Sequence, residues 1–446
     1  MRMSIGMSVL CVAGSVCSVL AGAPDFSNTL GQPGFTGSYV AAFTVWDDGA
    51  GESLYATGSC AAAGVAGGSL IARWDGSAWN AVGGGLQNQY SNTMAVFQGD
   101  LIVGGYFDSA GGVADTAKLA RFDGSNWHSM NAQSSSFLNS VWDLAVWDDG
   151  STGEQLYVAG NYLDLAGDPT LDHIAKWDGT NYTAVGGTIG GAVPLIVLDI
   201  LPADLGGGSK LYAAGRFLTI GGVEAKNIAM WDGTTWAPLG GGLTRTAGTA
   251  QVFHMTAWDD GNGMALYACG SFNLADGNPV VNVAKWDGTA WSAMGAGLDA
   301  SVQELIAFDD GTGEALYAMG NFNNSGATAI ARLAKWNGAS WEAVGTGADG
   351  NIYGAIVYDS GEGDSLILGG GFSTLGGMPA NKVGAILAAP SCVPDFTGDG
   401  TLDFFDVLEF LGAFDAMEDR ADLADDGVFD FFDVAAFLQA FADGCP

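Results

Sequence analysis

Between residues 25 and 390 the apolar positions recur at every second residue in short runs, broken by Gly, Asp and Asn. Period two places alternate side chains on opposite faces of a strand, so this pattern predicts short β-strands joined by tight turns. One run, LYATGSC at Leu54, returns as LIVGGYF at Leu101, LYVAGNY at Leu156, LYAAGRF at Leu211, LYACGSF at Leu266, LYAMGNF at Leu316 and LILGGGF at Leu366. The seven copies stand 47 to 55 residues apart. Six of them continue into a second phrase: IARWDGSAW, LARFDGSNW, IAKWDGTNY, IAMWDGTTW, VAKWDGTAW and LAKWNGASW. The seventh, VGAILAAPS, has lost it.

Each repeat divides into four strands. VWDLAVW before Asp148 is a first strand, LYVAG a second, IAKW a third, and the Trp or Tyr after Asp-Gly opens a fourth that ends in AVGG. Asp-Gly suits the intervening hairpin because it tolerates positive φ. Four antiparallel strands per repeat at this period predict a mainly β fold, a seven-bladed β-propeller of four-stranded blades over residues 24–390. The segment NTLGQPGFTGSYVAAFTVW from Asn28 reads like NAVGGGLQNQYSNTMAVF from Asn80, a fourth strand running into a first. The N-terminal segment is therefore expected to supply the outer strand of the last blade, which removes an exposed edge. A GGxF…IAxWDGxxW blade resembles the kelch-like propellers of secreted bacterial proteins. That resemblance implies the fold and leaves activity open, because related propellers host enzymes and pure binding surfaces alike.

The chain of 446 residues carries 14 Lys plus Arg against 49 Asp plus Glu, a net charge of −35. Such a balance argues against nucleic acid and anionic membranes as partners, since both need cationic surfaces, and leaves calcium or a cationic partner open. The 71 glycines accompany 48% hydrophobic residues and 14 tryptophans, so glycine marks turns in a folded chain. Residues 1–23 read as a secretory signal peptide: Arg2, an apolar run to Leu20, then Ala21, Gly22 and Ala23. A retained N-terminal anchor is the alternative, and no membrane span is expected after cleavage. Export permits disulfides. Cys392 and Cys445 bracket the C-terminal segment and are expected to pair, whereas Cys60 and Cys269 fall at non-equivalent places in different repeats and read as separate buried thiols.

Chemistry in the propeller is not evident from the sequence. The aspartates Asp75, Asp123, Asp178, Asp232 and Asp287 sit in the Asp-Gly turn, and the sixth copy has Asn337, which makes the same turn without a charge. The Asp148–Asp149 and Asp259–Asp260 pairs also sit in hairpins and read as solvated turns. Of the three histidines, His128 follows a fourth-strand tryptophan, His173 lies in a long loop and His254 in a first strand; each reads as structural or superficial. No catalytic residue is assigned. The variable connections after the second strands, such as YLDLAGDPTLDH, ring the face where a glycan or protein ligand would be sought.

Residues 391–446 change character. They carry 14 acids against the single cation Arg420, and DFTGDGTLDFFDVLEFLGAF from Asp395 is nearly repeated by DLADDGVFDFFDVAAFLQAF from Asp422. In the first copy Asp395, Thr397, Asp399, the carbonyl of Thr401, Asp403 and Asp406 have calcium-loop spacing, with Gly400 at the bend. The second offers Asp422, Asp426, the carbonyl of Val428, Asp430 and Asp433, while Ala424 contributes nothing. Each loop precedes a helix whose apolar stripes, Val407, Phe410, Leu411 and Phe414, and Val434, Phe437, Leu438 and Phe441, are expected to pack on each other. The result is a small all-α calcium-binding module. It resembles a type I dockerin, which implies docking to a cohesin-like receptor on a surface or assembly. Where dockerins carry small hydroxyl residues against cohesin, this chain has Phe404, Phe405, Phe431 and Phe432, so a different surface protein is an open alternative, as is core packing of one Phe in each pair. The expected function is a secreted, non-enzymatic binding or scaffold propeller tethered through this module. A polysaccharide-active enzyme with a dockerin anchor and a structural surface protein with a calcium clip are the alternatives.

Overall fold

A computed structural model describes residues 26–65, 69–132, 140–151, 153–191, 194–359, 363–388, 396–397, 402–417, 421, 423 and 428–443. Pro24–Ser391 forms one compact unit and Cys392–Pro446 belongs to another. Among the described residues the larger unit contains seven antiparallel four-stranded sheets. The third, for example, runs Val141–Trp147, Gln155–Gly160, Ile174–Trp177 and Tyr182–Ala184 in consecutive hairpins. The seventh has only three strands from its own repeat, Ile352–Asp359, Asp364–Gly370 and Val383–Leu387. Its fourth is Phe26–Ser27, with Phe26 opposite Ile386 and Ser27 opposite Ala385. The N-terminal segment thus completes the last sheet.

The turns form for the reason the sequence suggests. Asp75 Oδ1 accepts the N–H groups of Ser77 and Ala78 at 2.9 and 2.8 Å, and Asn337 Oδ1 accepts those of Ala339 and Ser340 at 3.0 and 2.8 Å. An amide does the work of a carboxylate, so the turn needs an acceptor and no charge.

The first strand of each sheet packs on the first strand of the next, and Ile352–Asp359 packs on Phe35–Asp47, so the sheets close into a propeller-like ring. The core lies between neighbouring sheets. Trp147 and Tyr157 of the third sheet share one buried cluster with Leu211, Trp231 and Trp236 of the fourth. The fourth-strand tryptophans reach further: Trp79 Nε1 donates to Leu30 O at 2.8 Å, Trp236 to Val185 O at 3.2 Å and Trp291 to Leu239 O at 3.0 Å. Each acceptor belongs to the preceding repeat. The tryptophans recur because the interfaces between sheets need the same apolar wedge, and most of them also use its ring N–H as a donor. Cys60 and Cys269 are free and buried in this unit.

In the C-terminal unit α1 spans Phe404–Asp415 and α2 Phe431–Asp443. Asp403 caps α1 by accepting the Phe405 N–H at 2.7 Å, and Asp430 accepts the Phe432 N–H at the same distance. The helices meet through Phe410 and Phe437, whose rings stack 4.1 Å apart. Val407, Phe414, Val434 and Phe441 flank that stack. Leu411 and Leu438, assigned to the same stripes, instead face solvent. Two short helices bury too narrow a strip to cover a fourth position, and the buried Ala413 lies beside the Phe stack in place of Leu411.

Candidate functional site

Seven first strands surround a central cavity of about 890 Å³. Every one carries a register shift of one residue near its start, at Val40/Ala42, Ser91/Thr93, Val141/Asp143, Val197/Asp199, Val252/His254, Val302/Glu304 and Ile352/Gly354. A β-bulge bends the strand and re-aims the next side chain. The residues just past the bulges, Ala42, Thr93, Asp143, Asp199, His254, Glu304 and Gly354, all line the cavity. Four of the seven are ionisable.

These side chains bridge successive sheets by one rule. Asp143 Oδ2 accepts the N–H of Ile200 at 2.9 Å, Asp199 Oδ2 that of Met255 at 2.6 Å, and His254 Nδ1 that of Leu305 at 3.4 Å. Glu304 likewise accepts from the Ala355 N–H. Each donor follows the equivalent ring position in the next sheet. At the second sheet Thr93 Oγ1 donates to Asp143 Oδ1 at 3.2 Å. The series stops at the last junction because Gly354 leaves no room: a Cβ there would stand 2.2 Å from the Ala41 carbonyl oxygen.

Burial dominates the electrostatics. It pushes Asp143 up to about 6, against the N–H bonds from Ile200 and Leu144. Burial and then the Asp143 carboxyl hold Asp199 well above the usual carboxylate range. Glu304 rises to about 8 through burial, with Asp143 adding to it, while burial lowers His254 to about 4. Charged forms lose hydration inside the ring and gain no cation in return. At neutral pH the cavity therefore holds a neutral acid, Glu304, and a neutral imidazole, His254, while burial and the neighbouring Asp143 shift Asp199 toward its protonated form. Since His254 Nδ1 accepts, its proton sits on Nε2.

None of this was recognised in the sequence, where His254 read as structural or superficial and no ionisable cluster was assigned. The signal was present. Aligned on the residue before the bulge, VWDL, VLDI, VFHM and VQEL carry a polar residue at the same place in four successive repeats. The repeat is most conspicuous in the second and third strands, and period two cannot reveal a bulge that shifts it.

The paired aspartates also differ from expectation. Asp148 caps its turn through the Gly150 N–H at 2.8 Å, but Asp149 turns its side chain, 2% exposed, onto Lys176 Nζ at 2.5 Å and Tyr157 OH at 3.1 Å. Asp310 with Lys335 and Tyr317 repeats the arrangement, and Asp260 pairs with Lys285, whose ammonium lies over the Tyr267 ring. The second aspartate is thus an interior ion-pair partner, because the third-strand Lys beside it needs a counter-charge. His128 Nε2 lies 2.6 Å from Asp123 Oδ2 on an exposed turn, and His173 is buried in its loop.

In the C-terminal unit Asp406 and Asp433 are fully buried. Asp406 Oδ1 accepts from the N–H and Oγ1 of Thr397 at 3.0 and 2.9 Å, and its Oδ2 from the Asp403 N–H at 2.8 Å. Asp433 Oδ2 accepts the Asp430 N–H at 2.8 Å. Positions 3 and 12 of the first loop are therefore in contact through hydrogen bonds. Asp395, Asp399, Thr401, Asp422 and Asp426 lie outside the described residues, as do Cys392 and Cys445. Among the described residues no three His, Cys, Asp or Glu side chains converge on a metal-sized site. Phe404, Phe405, Phe431 and Phe432 are 71, 63, 75 and 66% exposed, so neither member of either pair packs in the core.

No protein-family model matches this chain, and no curated protein does. Solved structures resemble it in fold. The extracellular domain of BT4673 from B. thetaiotaomicron aligns with a TM-score of 0.45 at 11% identity over 85% of this chain and 42% of that one. YCF48 from Cyanidioschyzon merolae aligns at 0.41 and 11% over 82% of this chain and 99% of its own. Likeness at this level transfers no activity. No helix among the described residues is long and apolar enough to cross a membrane.

Proposed function

We propose that the chain is a secreted, non-enzymatic, seven-bladed kelch-like propeller that presents a binding face for a glycan or protein. It is tethered to a surface or assembly by a calcium-dependent, dockerin-like C-terminal module. The observation that carries the tethering is the pair of exposed diphenylalanine steps, Phe404–Phe405 and Phe431–Phe432, at equivalent helix starts. Large apolar side chains held in water at matching positions are costly unless a partner covers them. Each step lies beside a buried loop carboxylate, Asp406 or Asp433, so an ion that orders the loop also presents the phenylalanines. Calcium would be held by Asp395, Thr397, Asp399, Asp403 and Asp406 with the Thr401 carbonyl, and by Asp422, Asp426, Asp430 and Asp433 with the Val428 carbonyl. It supplies the positive charge that lets these oxygens approach one another.

The test is calorimetric titration of the full chain with cohesin domains, with calcium and with chelator, for the parent and for Phe404→Ser/Phe431→Ser. Calcium-dependent binding lost in the variant supports the reading. If the parent binds no cohesin, and calcium changes neither its proteolysis pattern nor its retention on the surface of an expressing cell, tethering is refuted.

A polysaccharide-active enzyme is the second reading. It draws on Asp143, Asp199 and Glu304, acids with separated protonation states in one cavity, as sugar hydrolysis uses. Against it, each of these carboxyls is already engaged by the neighbouring sheet. Sugar release from a polysaccharide panel, abolished by Glu304→Gln, would favour the enzyme.

A further inference from the structure

Resting on the reading of the propeller as a glycan binder, we propose that Arg216, Lys226 and Arg245 form a subsite for the carboxylate or sulfate of an acidic polysaccharide. The sugar that carries this group lies against aromatic and amide side chains at the adjoining mouth of the central cavity.

The repeats are nearly interchangeable, so a place where one of them departs from the rest marks a demand that the fold alone does not make. Three departures meet between the fourth and fifth sheets. Arg216 closes the second strand of the fourth sheet, where the equivalent residues are Ser59, Tyr106, Asn161, Ser271, Asn321 and Gly371. Lys226 precedes Asn227, whereas the apolar Val281 precedes Asn282 in the next repeat. Asn227 Nδ2 donates to the Leu243 carbonyl at 2.6 Å and Asn282 Nδ2 to the Leu298 carbonyl at 2.7 Å, so Leu243 and Leu298 are equivalent. From Leu243 to the first-strand Val252 the chain takes ten residues, against five from Leu298 to Val302, and the longer link carries Arg245. All three cations line one hollow of about 360 Å³, together with Thr244 and Thr249.

The cations are available to a ligand. Arg216 Nε donates to the Pro194 carbonyl at 2.7 Å, which fixes the guanidinium plane and leaves its two terminal amino groups to bind. Arg245 Nη1 donates to Ser271 Oγ. Among the described residues neither arginine pairs with a carboxylate, although the chain has 49 acids from which to supply one. Lys226 Nζ lies 3.1 Å from Glu224 Oε1, an exposed pair that an incoming anion can displace. The planar fork of a guanidinium matches the paired oxygens of an oxyanion, and two such forks beside an ammonium suit a carboxylate or a sulfate.

The neighbouring surface suits a sugar. Among the described residues Arg216 is the only Lys or Arg that also lines the central cavity. It stands opposite Ile196 at the start of its first strand, the end at which all seven bulges lie. The residue inside each bulge reaches the cavity as well: Trp142, Phe253 and Tyr353 offer flat apolar faces, and Asn92 and Gln303 offer amides. Trp142 Nε1 is buried and makes no hydrogen bond among the described residues, so a ligand hydroxyl would satisfy it. Aromatic faces take the C–H side of a sugar ring while amides take its hydroxyls. Asp143, Asp199 and Glu304 lie beyond the bulges and accept N–H groups of the next sheet, so the oxyanion is held at the rim and the uncharged part of the ligand faces inward.

The test is binding of the full chain, in calcium, to an array of oligosaccharides in matched neutral, uronic-acid and sulfated forms, with dissociation constants measured for the strongest hits. The parent should bind an acidic form at least tenfold more tightly than its neutral match, and comparison of the two acidic series separates carboxylate from sulfate. Arg216→Gln/Arg245→Gln should lose at least tenfold of that affinity. Lys210→Gln, at the far end of the Arg216 strand, should lose less than twofold. If the double variant does not fold, as judged by its unfolding midpoint, Lys226→Gln/Arg245→Gln on the connecting segments takes its place with the same expectation. Binding of neutral and acidic forms alike, unchanged in the variants, overturns the subsite and leaves the glycan reading standing; binding of no glycan overturns both. An equal loss in Lys210→Gln, or equally tight binding of polyglutamate, also overturns the subsite, because diffuse charge or an acidic peptide would then account for the cations.

Discussion

Replacing Lys176 by Met leaves the inward-turned Asp149 without its counter-ion and tests whether these repeated ion pairs are interior features. The Asp149 side chain is 2% exposed, and its carboxyl is held near 2 in spite of burial, by bonds from Lys176 and Ser151. Against an ordinary value near 3.8, that depression corresponds to about 2 kcal/mol of stability. Removing one partner of a buried pair also strands the other, for which about 3–5 kcal/mol is typical. The expected cost at pH 7 is therefore about 3 kcal/mol or more, against at most about 1 kcal/mol for an exposed pair. The sign with pH is distinctive. In the parent Asp149 contributes stability above pH 4 that is lost as pH falls through about 2; in the variant burial is unopposed, so ionisation destabilises as pH rises. The difference between the two proteins should widen from pH 3 to pH 7 in urea titrations. Lys176→Met/Asp149→Asn should recover much of the loss, because no charge is left stranded. A cost below about 1 kcal/mol at pH 7, or one independent of pH, would refute the interior ion-pair account.

Further outcomes follow from the same structure. Trp79→Phe and Trp236→Phe should each cost about 1–2 kcal/mol by equilibrium unfolding, because each removes an equivalent donor to a buried carbonyl of the preceding repeat. Deleting residues 26–32 should uncover the Val383–Leu387 edge and the Leu30 contact, seen as a lowered Tm and faster proteolysis of the seventh sheet; an unchanged Tm would count against closure by the N-terminal strand. In the C-terminal unit Phe410→Ala should abolish the stacked core and the unit's protease resistance, whereas Leu411→Lys should leave both unchanged. Asp406→Ala should weaken calcium binding, measured by titration of the full chain, more than Thr397→Ala, because it removes a buried charge that also organises the loop.

The sequence alone determined the elements that depend on neighbours along the chain. Strand period, Asp-Gly turns and the seven repeats follow from local backbone preference and are readable from residues a few positions apart. Closure by Phe26–Ser27 was legible too, because the lost phrase after Val383 and the surplus strand before Phe35 are complementary vacancies in one repeating pattern. The tertiary structure alone decided which polar residues meet. Asp148 and Asp149 are adjacent and chemically identical, yet one caps a turn and the other turns inward, since the connection after Trp147 aims them differently and only the third strand supplies Lys176. Asp143, Asp199, His254 and Glu304 are 50 to 56 residues apart, and a bulge in each strand is what swings them onto one ring. Whether a carboxyl keeps its proton depends on the water and cations around it, and that environment exists only once the seven sheets have closed.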